Sequence, residues 1–194
     1  HGRKTDQLIL CSKLGRKQIY FAKIAAGSLF SLAVTGILLL CGVFTSLFMY
    51  GTDGFSAAIQ LMAPHYSMIL SIGDVFLIMS GILLLASILM SIFTMVLSEI
   101  TRSNIASMAV VIAFMFAARL VSIPYVYRVV SQAWNMIPIN LLKFDAGFWD
   151  LRLISIFGIK LTLWQFAPLI YVVFGILIML AGKRIYCGYQ VDGR

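Results

Sequence analysis

"IAAGSLFSLAVTGILLLCGVFTSLFMY", residues 24–50, decides the fold class of this 194-residue chain. The stretch holds no charge, and a helix of its length is roughly 40 Å long, enough to cross the ~30 Å hydrocarbon core of a bilayer with some tilt. Three stretches further along have the same character: 75–97, 105–123 and 166–182. The third of the four stretches ends before Pro124, a residue that breaks or kinks helices. We therefore expect an all-α, polytopic membrane protein with four spanning helices.

The composition agrees with lipid as the solvent for most of the chain. It is 61% hydrophobic and 11% charged, against about 25% charged in soluble domains. The net charge is +8, but the cations stand at the ends of apolar runs, which is typical of membrane topology and not of a nucleic-acid interface. Three widely spaced cysteines form neither a disulfide framework nor a metal-binding pattern. With two His and a single Glu, the sequence predicts no catalytic site, no metal and no cofactor.

The charges of the loops predict the orientation of the spans. Ten Lys and Arg lie before the first span, between the second and third, and in the tail 183–194, whereas four lie in the alternate loops. Cytoplasmic loops carry the excess of cations, so we expect residue 1 and the tail on the cytoplasmic side of the cell membrane. All three Trp fall in 124–165, as expected for an interfacial aromatic belt on the outer side.

The outer region 124–165 predicts short helices that dip into the membrane and return. "YVYRVVSQAWNMI", residues 125–137, places its valines on one helical face and its polar residues elsewhere. "DLRLISIFGIKLTLWQF", residues 150–166, is apolar with scattered charges and fits a second short helix. Such half-helices are tolerated where protein covers the backbone.

Hydroxyl side chains recur along one stripe of the second span, and one cation lies inside the third. The stripe either packs closely against a neighbouring helix or lines a polar translocation path. Arg119 either extends to the outer headgroups or has a pairing or gating role. The residues of the stripe considered for such a path are Ser80, Ser87, Ser91 and Thr94.

The segment 1–23, before the first span, holds six of the 15 Lys and Arg. Attraction to an anionic inner leaflet accounts for such cations. However, "TDQLIL" (5–10) adds a helix-capping threonine and an apolar patch before the break at "KLGRKQ" (13–18), which predicts an amphipathic helix on the cytoplasmic side. Such a helix docks either on the membrane surface or on a protein.

These residues resemble the permease subunit of type-2 ABC transporters, mostly bacterial exporters. In that family a cytoplasmic segment carries a threonine, two or three leucines, a small residue followed by arginine, and a lysine before a span. The matching residues here are Thr5, Leu8, Leu10, Gly15, Arg16 and Lys23, with Lys4 in place of the usual glycine. The order of spans, outer region and basic tail resembles the family over nearly the whole chain.

The resemblance implies that this chain is the C-terminal four-span part of a six-span permease, with two spans expected before His1. The segment 1–23 would be a coupling segment that contacts a separate ATP-binding subunit, and the 98–104 loop, with Glu99 and Arg102, would form a second contact. A second permease copy, identical or not, would complete a transporter that works by alternating access. The other hypothesis is a non-transporting anchor or sensor that binds anionic lipid through its basic segment.

Overall fold

The computed structural model describes residues 15–64, 66, 68–143, 148, 150, 152–156 and 158–188. An all-α polytopic membrane protein is confirmed. The helices are α1 (Gly15–Tyr50), α2 (Ile72–Thr101), α3 (Asn104–Leu120), α4 (Arg128–Asn135), α5 (Pro138–Leu141) and α6 (Leu163–Gly188), with strands β1 (Ile154–Ile156) and β2 (Ile159–Leu161) between α5 and α6. Two short 3₁₀ helices, Asp53–Ser56 and Ile59–Leu61, lie between α1 and α2.

In the part of the chain that the structure describes, three helices are long and apolar enough to cross a membrane: α1, α2 and α6. Their apolar side chains largely face outward, and in α1 the most hydrophobic window is 0% buried, the reverse of a soluble helical bundle. The apolar helix α3 has 17 residues and a length of about 25 Å, slightly less than the ~30 Å hydrocarbon core. The four predicted spans therefore correspond to three long helices and one shorter one.

Helix α1 is continuous from Gly15, so the predicted boundary between residues 23 and 24 falls inside a helix. Its cations do not end the helix because their aliphatic stems can lie along neighbouring rings while the charge stays at the helix end. The Lys23 ammonium lies 5.4 Å from the ring centroid of Tyr186, and the Lys183 ammonium lies 5.5 Å from that of Phe21. The charged residues from 16 to 23 thus belong to the same helix as the first span.

The molecule has two opposite ends, a basic end and a loop end. The basic end comprises the first turns of α1, the turn between α2 and α3, and the last turns of α6. The loop end comprises residues 51–71 and 121–162 as far as they are described. The spanning helices connect these ends: α2 begins at the loop end with a capping box formed by Ser71 and Asp74, and α3 begins at the basic end with Ser103 as its N-cap.

The core lies towards the loop end. The first cluster of buried side chains, from α2, α5 and α6, consists of Ile82, Ala86, Leu141, Leu163, Ala167 and Tyr171. A second, under the α1–α2 connection, consists of Ile59, Ala63, Tyr66, Val75 and Phe148. Trp164 packs against both clusters. In the second, its Nε1 donates to the Tyr66 hydroxyl at 2.9 Å and its ring stacks on Phe148 at a centroid distance of 5.8 Å. One tryptophan therefore fixes the long connections onto α6.

The predicted outer helices are found in part. Helix α4 lies within 125–137, but the helix predicted over 150–166 is wrong for residues 154–156 and 159–161, which form two antiparallel strands. The reason is that Ile154, Ile156, Ile159 and Leu161 alternate with other residues at the period of a strand, and Gly158 supplies the turn with a φ of +84°. Position 158 is therefore a turn and not the middle of a helix.

Candidate functional site at the basic end

Three helices meet closely at the basic end around Tyr20 of α1. Its side chain is only 2% exposed, and its hydroxyl donates to the Met179 carbonyl of α6 at 2.7 Å. A Cβ atom on Gly182 would lie 2.5 Å from the Tyr20 hydroxyl oxygen and 2.6 Å from a methyl of Val96 in α2. Only glycine permits this approach, a common device for packing helices in membranes. We call Tyr20, Val96 and Gly182 the three-helix junction.

An ion pair joins α1 to α2 beside this junction. The Lys23 ammonium lies 3.2 Å from the Glu99 carboxylate, although the two residues are 76 positions apart. Their side chains are 52% and 31% exposed. Exposed pairs of this kind contribute about 0.2–1 kcal/mol, so the pair orients the helix ends but adds little to stability.

The turn between α2 and α3 is short and held by hydroxyl groups. Arg102 ends α2 in the left-handed conformation, with a φ of 55°, which a non-glycine residue adopts at a cost of roughly 1–2 kcal/mol. On either side, the Ser98 hydroxyl donates to Asn104 at 2.5 Å, and the Thr101 and Ser107 hydroxyls lie 2.7 Å apart. The turn therefore projects Arg102 from a fixed backbone.

A cleft of about 470 Å³ lies between α1, α2 and the start of α3. Its walls combine an ion pair, hydroxyl and amide groups with methionine side chains, so it can accept a polar or amphipathic group. Within the described residues, no group of three His, Cys, Asp or Glu could hold a metal. The residues that line the cleft are Tyr20, Lys23, Ile24, Thr94, Met95, Ser98, Glu99, Asn104, Ser107 and Met108.

The predicted coupling residues are partly within reach of this cleft. Glu99 lines it, whereas Arg102, on the α2–α3 turn, is not among the residues that line it. Gly15 and Arg16 form the first turn of α1, at the same end of the molecule. Thr5, Leu8 and Leu10 lie outside the described residues.

The predicted hydroxyl stripe on α2 divides into two parts. Ser91 faces α1, since a Cβ on Gly27 would lie 3.3 Å from its hydroxyl oxygen. Ser87 contacts α1 through its backbone carbonyl, which accepts from the Ser31 hydroxyl at 3.0 Å, while its own hydroxyl donates to the Leu84 carbonyl at 2.8 Å. The half-buried Ser80 lies further along α2, towards the loop end. Thr94 instead lines the cleft, with its hydroxyl donating to the Met90 carbonyl at 2.7 Å.

Arg119 is exposed in the last turn of α3. A cation there is favourable for the helix dipole. The fold also brings Tyr20 and Asn104 to the cleft, and neither is predicted from the sequence as a site residue. A signal for Tyr20 was available: a large aromatic residue between cations predicts an interfacial anchor. Asn104 carries no such signal, because only the tight α2–α3 turn brings it to Ser98.

Comparison with known proteins identifies no relative: no family model, no curated protein and no solved structure matches this chain.

Proposed function

We propose that this chain is the membrane-spanning permease subunit of an ATP-driven transporter of the ABC type, an exporter that works by alternating access with ATP hydrolysed by a separate subunit. The basic end would be its docking surface for that subunit. The proposal rests on the resemblance of the sequence and on one structural observation: the Lys23–Glu99 ion pair. It joins α1, which continues from the predicted coupling segment, to the turn predicted as the second contact.

The weakness of this ion pair supports a role in movement. A pair contributing about 0.2–1 kcal/mol can break and re-form during a transport cycle without unfolding the protein. The three-helix junction lies next to it and connects α1, α2 and α6. A force applied by a partner on the first turn of α1 would therefore reach all three long helices through packed atoms.

The proposal includes orientation and assembly. The basic end would face the cytoplasm by the positive-inside rule. The most hydrophobic window of α1 is 0% buried, and along it Phe44 and Phe48 are exposed. Such a surface suits lipid together with further helices, which we assign to two preceding spans and a second permease copy.

The test of the partner is purification of the full-length protein from its native membranes in mild detergent, followed by identification of what co-purifies. We expect an ATP-binding subunit at about one per permease. Glu99→Lys should lower its yield strongly. The matched control is Asp53→Lys, the same charge change at an exposed loop-end residue, and it should leave the yield unchanged.

Absence of any ATPase under these conditions would contradict the proposal and favour the other hypothesis, an anchor or sensor that binds anionic lipid. Equal losses in both variants would contradict the basic end as the docking surface.

Orientation is tested separately by cysteine labelling. In a full-length variant without native cysteines, Thr52→Cys at the loop end should react with a membrane-impermeant maleimide in intact cells. Arg184→Cys at the basic end should react only after permeabilisation. The opposite pattern would overturn the proposed orientation.

A further inference from the structure

A second cavity of about 470 Å³ opens at the loop end, far from the proposed docking surface. It lies between the start of α4 and the β-hairpin. Three of the six residues around it are cations, an unusual concentration in a chain with 11% charged residues. The lining residues are Tyr125, Arg128, Arg152, Leu153, Ser155 and Lys160.

The register of the hairpin explains how two polar groups reach the cavity together. Ser155 and Lys160 are paired directly across the two strands, and residues paired in this way project from the same face. The pair Ile154 and Leu161 projects from the other face, and Ile154 packs against the first core cluster. The hairpin thus turns Ile154 inward and presents a hydroxyl and an ammonium group from its other face to the cavity.

The two arginines of the cavity differ in how far their charge is neutralised. Arg152 is held by Asp150, with Nε to Oδ1 at 2.7 Å and Nη2 to Oδ2 at 2.5 Å. Arg128 donates through Nη2 to the Leu153 carbonyl at 3.2 Å, which fixes its guanidinium but leaves its charge. Among the described residues neither Arg128 nor Lys160 forms an ion pair. Their two positive charges are therefore open to an anion.

Apolar side chains stand next to these charges. Val129 and Val130 on α4, with Val126 just before it, are 77%, 55% and 88% exposed, and we call them the valine face. The opposite side of α4 is turned to the protein, where Ser131 is 1% exposed. Arg128 directly precedes Val129 on α4 and is turned about 100° from it around the helix axis, so the cation lies beside the valine face and not on it.

We propose that this cavity binds the phosphate group of an anionic phospholipid, with Arg128, Lys160 and Ser155 around the phosphate and an acyl chain along the valine face. Arginine and lysine both recognise phosphate oxygens, and the hydroxyl adds a donor. Exposed apolar side chains point to a lipid over a soluble anion: Tyr125 and Leu153, 68% and 42% exposed, line the cavity itself, and the valine face stands on the helix that carries Arg128. The proposal does not rest on the transport function and holds equally for an anchor or sensor.

The test uses the full-length protein in nanodiscs of phosphatidylcholine that contain a sub-saturating amount of phosphatidylglycerol with a photoreactive acyl chain. After illumination, labelled peptides are quantified by mass spectrometry. We expect label on the peptide that covers residues 125–135. Arg128→Gln and Lys160→Gln should each reduce this label about fivefold, and the double variant about 25-fold, whereas label near the first turn of α1 stays constant.

Lys143→Gln is the matched control, since Lys143 is a loop-end cation that does not line the cavity; it should change the label less than twofold. Lys160 is exposed on β2, so its variant should fold even if Arg128→Gln does not, and it tests the proposal alone.

Three outcomes would overturn the proposal. Equal labelling by a phosphatidylcholine probe would mean that the negative charge is not recognised. Equal loss in Lys143→Gln would mean a diffuse surface potential. Displacement of the label by free glycerol 1-phosphate at the concentration of the probe would mean a site for a soluble anion.

Discussion

The three-helix junction gives the sharpest prediction from packing. Gly182→Ala places a methyl group 2.5 Å from the Tyr20 hydroxyl oxygen and 2.6 Å and 3.0 Å from the two methyls of Val96. Real Cβ atoms do not approach other atoms so closely, so α6 must move away from α1 and α2. The Tyr20 hydrogen bond to Met179 would then be stretched or lost.

The magnitude follows from three contributions. Overpacking costs about 1–3 kcal/mol, and loss of the tyrosine hydrogen bond costs about 1 kcal/mol. The higher helix propensity of alanine returns about 1 kcal/mol. We therefore expect Gly182→Ala to lower the free energy of unfolding by about 2 kcal/mol.

The assay is reversible unfolding of the full-length protein in dodecyl maltoside micelles by added dodecyl sulfate, followed by circular dichroism. The matched control is Gly175→Ala in the same helix, where the new Cβ would lie 3.7 Å and 3.9 Å from side-chain methyls of Leu89 and Ile92. This is ordinary contact, so the control should be neutral or stabilised. Adding Val96→Ala to Gly182→Ala removes both clashing methyls. The double variant should therefore be about 1 kcal/mol more stable than the sum of the two single-variant changes in unfolding free energy predicts.

Equal stability of Gly182→Ala and Gly175→Ala would refute the reasoning. It would mean that α6 does not approach α1 and α2 at this point. The proposal that force is transmitted through the three-helix junction would then also be refuted.

Three further predictions concern single side chains. Arg102→Gly should be about 1 kcal/mol more stable than Arg102→Ala in the same unfolding assay, because both remove the charge but only glycine relieves the left-handed backbone. Asp150→Asn should cost about 3 kcal/mol, because it removes the partner of the Arg152 guanidinium, whose side chain is only 20% exposed. Burial raises the pKa of Tyr66 above its ordinary value of 10.0, so its stabilising contribution is complete below pH 10 and is lost as the pH rises further. Near neutral pH the hydrogen bond with Trp164 should make the wild type about 1 kcal/mol more stable than Tyr66→Phe. This difference in the free energy of unfolding should therefore shrink above pH 10.

Each of these has a contrary result. Equal stability of the two Arg102 variants would mean that the turn relaxes when the arginine is removed. For Asp150, the control is Asp53→Asn, an exposed acid of the same end, and an equal effect would show that the buried ion pair does not form. A stability difference for Tyr66→Phe that is constant with pH would mean that this tyrosine ionises equally easily in the folded and unfolded states.

The spanning helices could be predicted because their signal is local. A run such as 24–50 is apolar throughout, and no soluble structure accommodates it. The start of α1 and the hairpin were missed for different reasons. The cation Lys23 marks the predicted boundary of the first span, whereas in the structure it lies inside a continuous helix with its charge over the Tyr186 ring. In 150–166 the scattered charges hide the alternation of apolar and polar residues that is typical of strands. The turn at Gly158, with its positive φ, is what makes the two strands pair.

The candidate site could be predicted only as separate pieces. Glu99 was singled out from a short charged loop, and the basic character of the segment before α1 is evident in the sequence. That Glu99 and Lys23 form a pair depends on how α1 crosses α2, and this crossing is set by Gly27 and Ser31 against Ser91 and Ser87. Such contacts join residues more than fifty positions apart, and no local pattern carries that information.

The measurement that tests the central claim most directly is ATP hydrolysis by the complex purified from native membranes and placed in nanodiscs. The account predicts that Arg16→Ala and Glu99→Ala each lower the rate severalfold while the protein remains inserted and folded, and that Asp53→Asn at the loop end does not. A rate unchanged in both basic-end variants, or a purified membrane protein with no ATPase activity at all, would contradict the claim that this end of the helices is coupled to ATP hydrolysis.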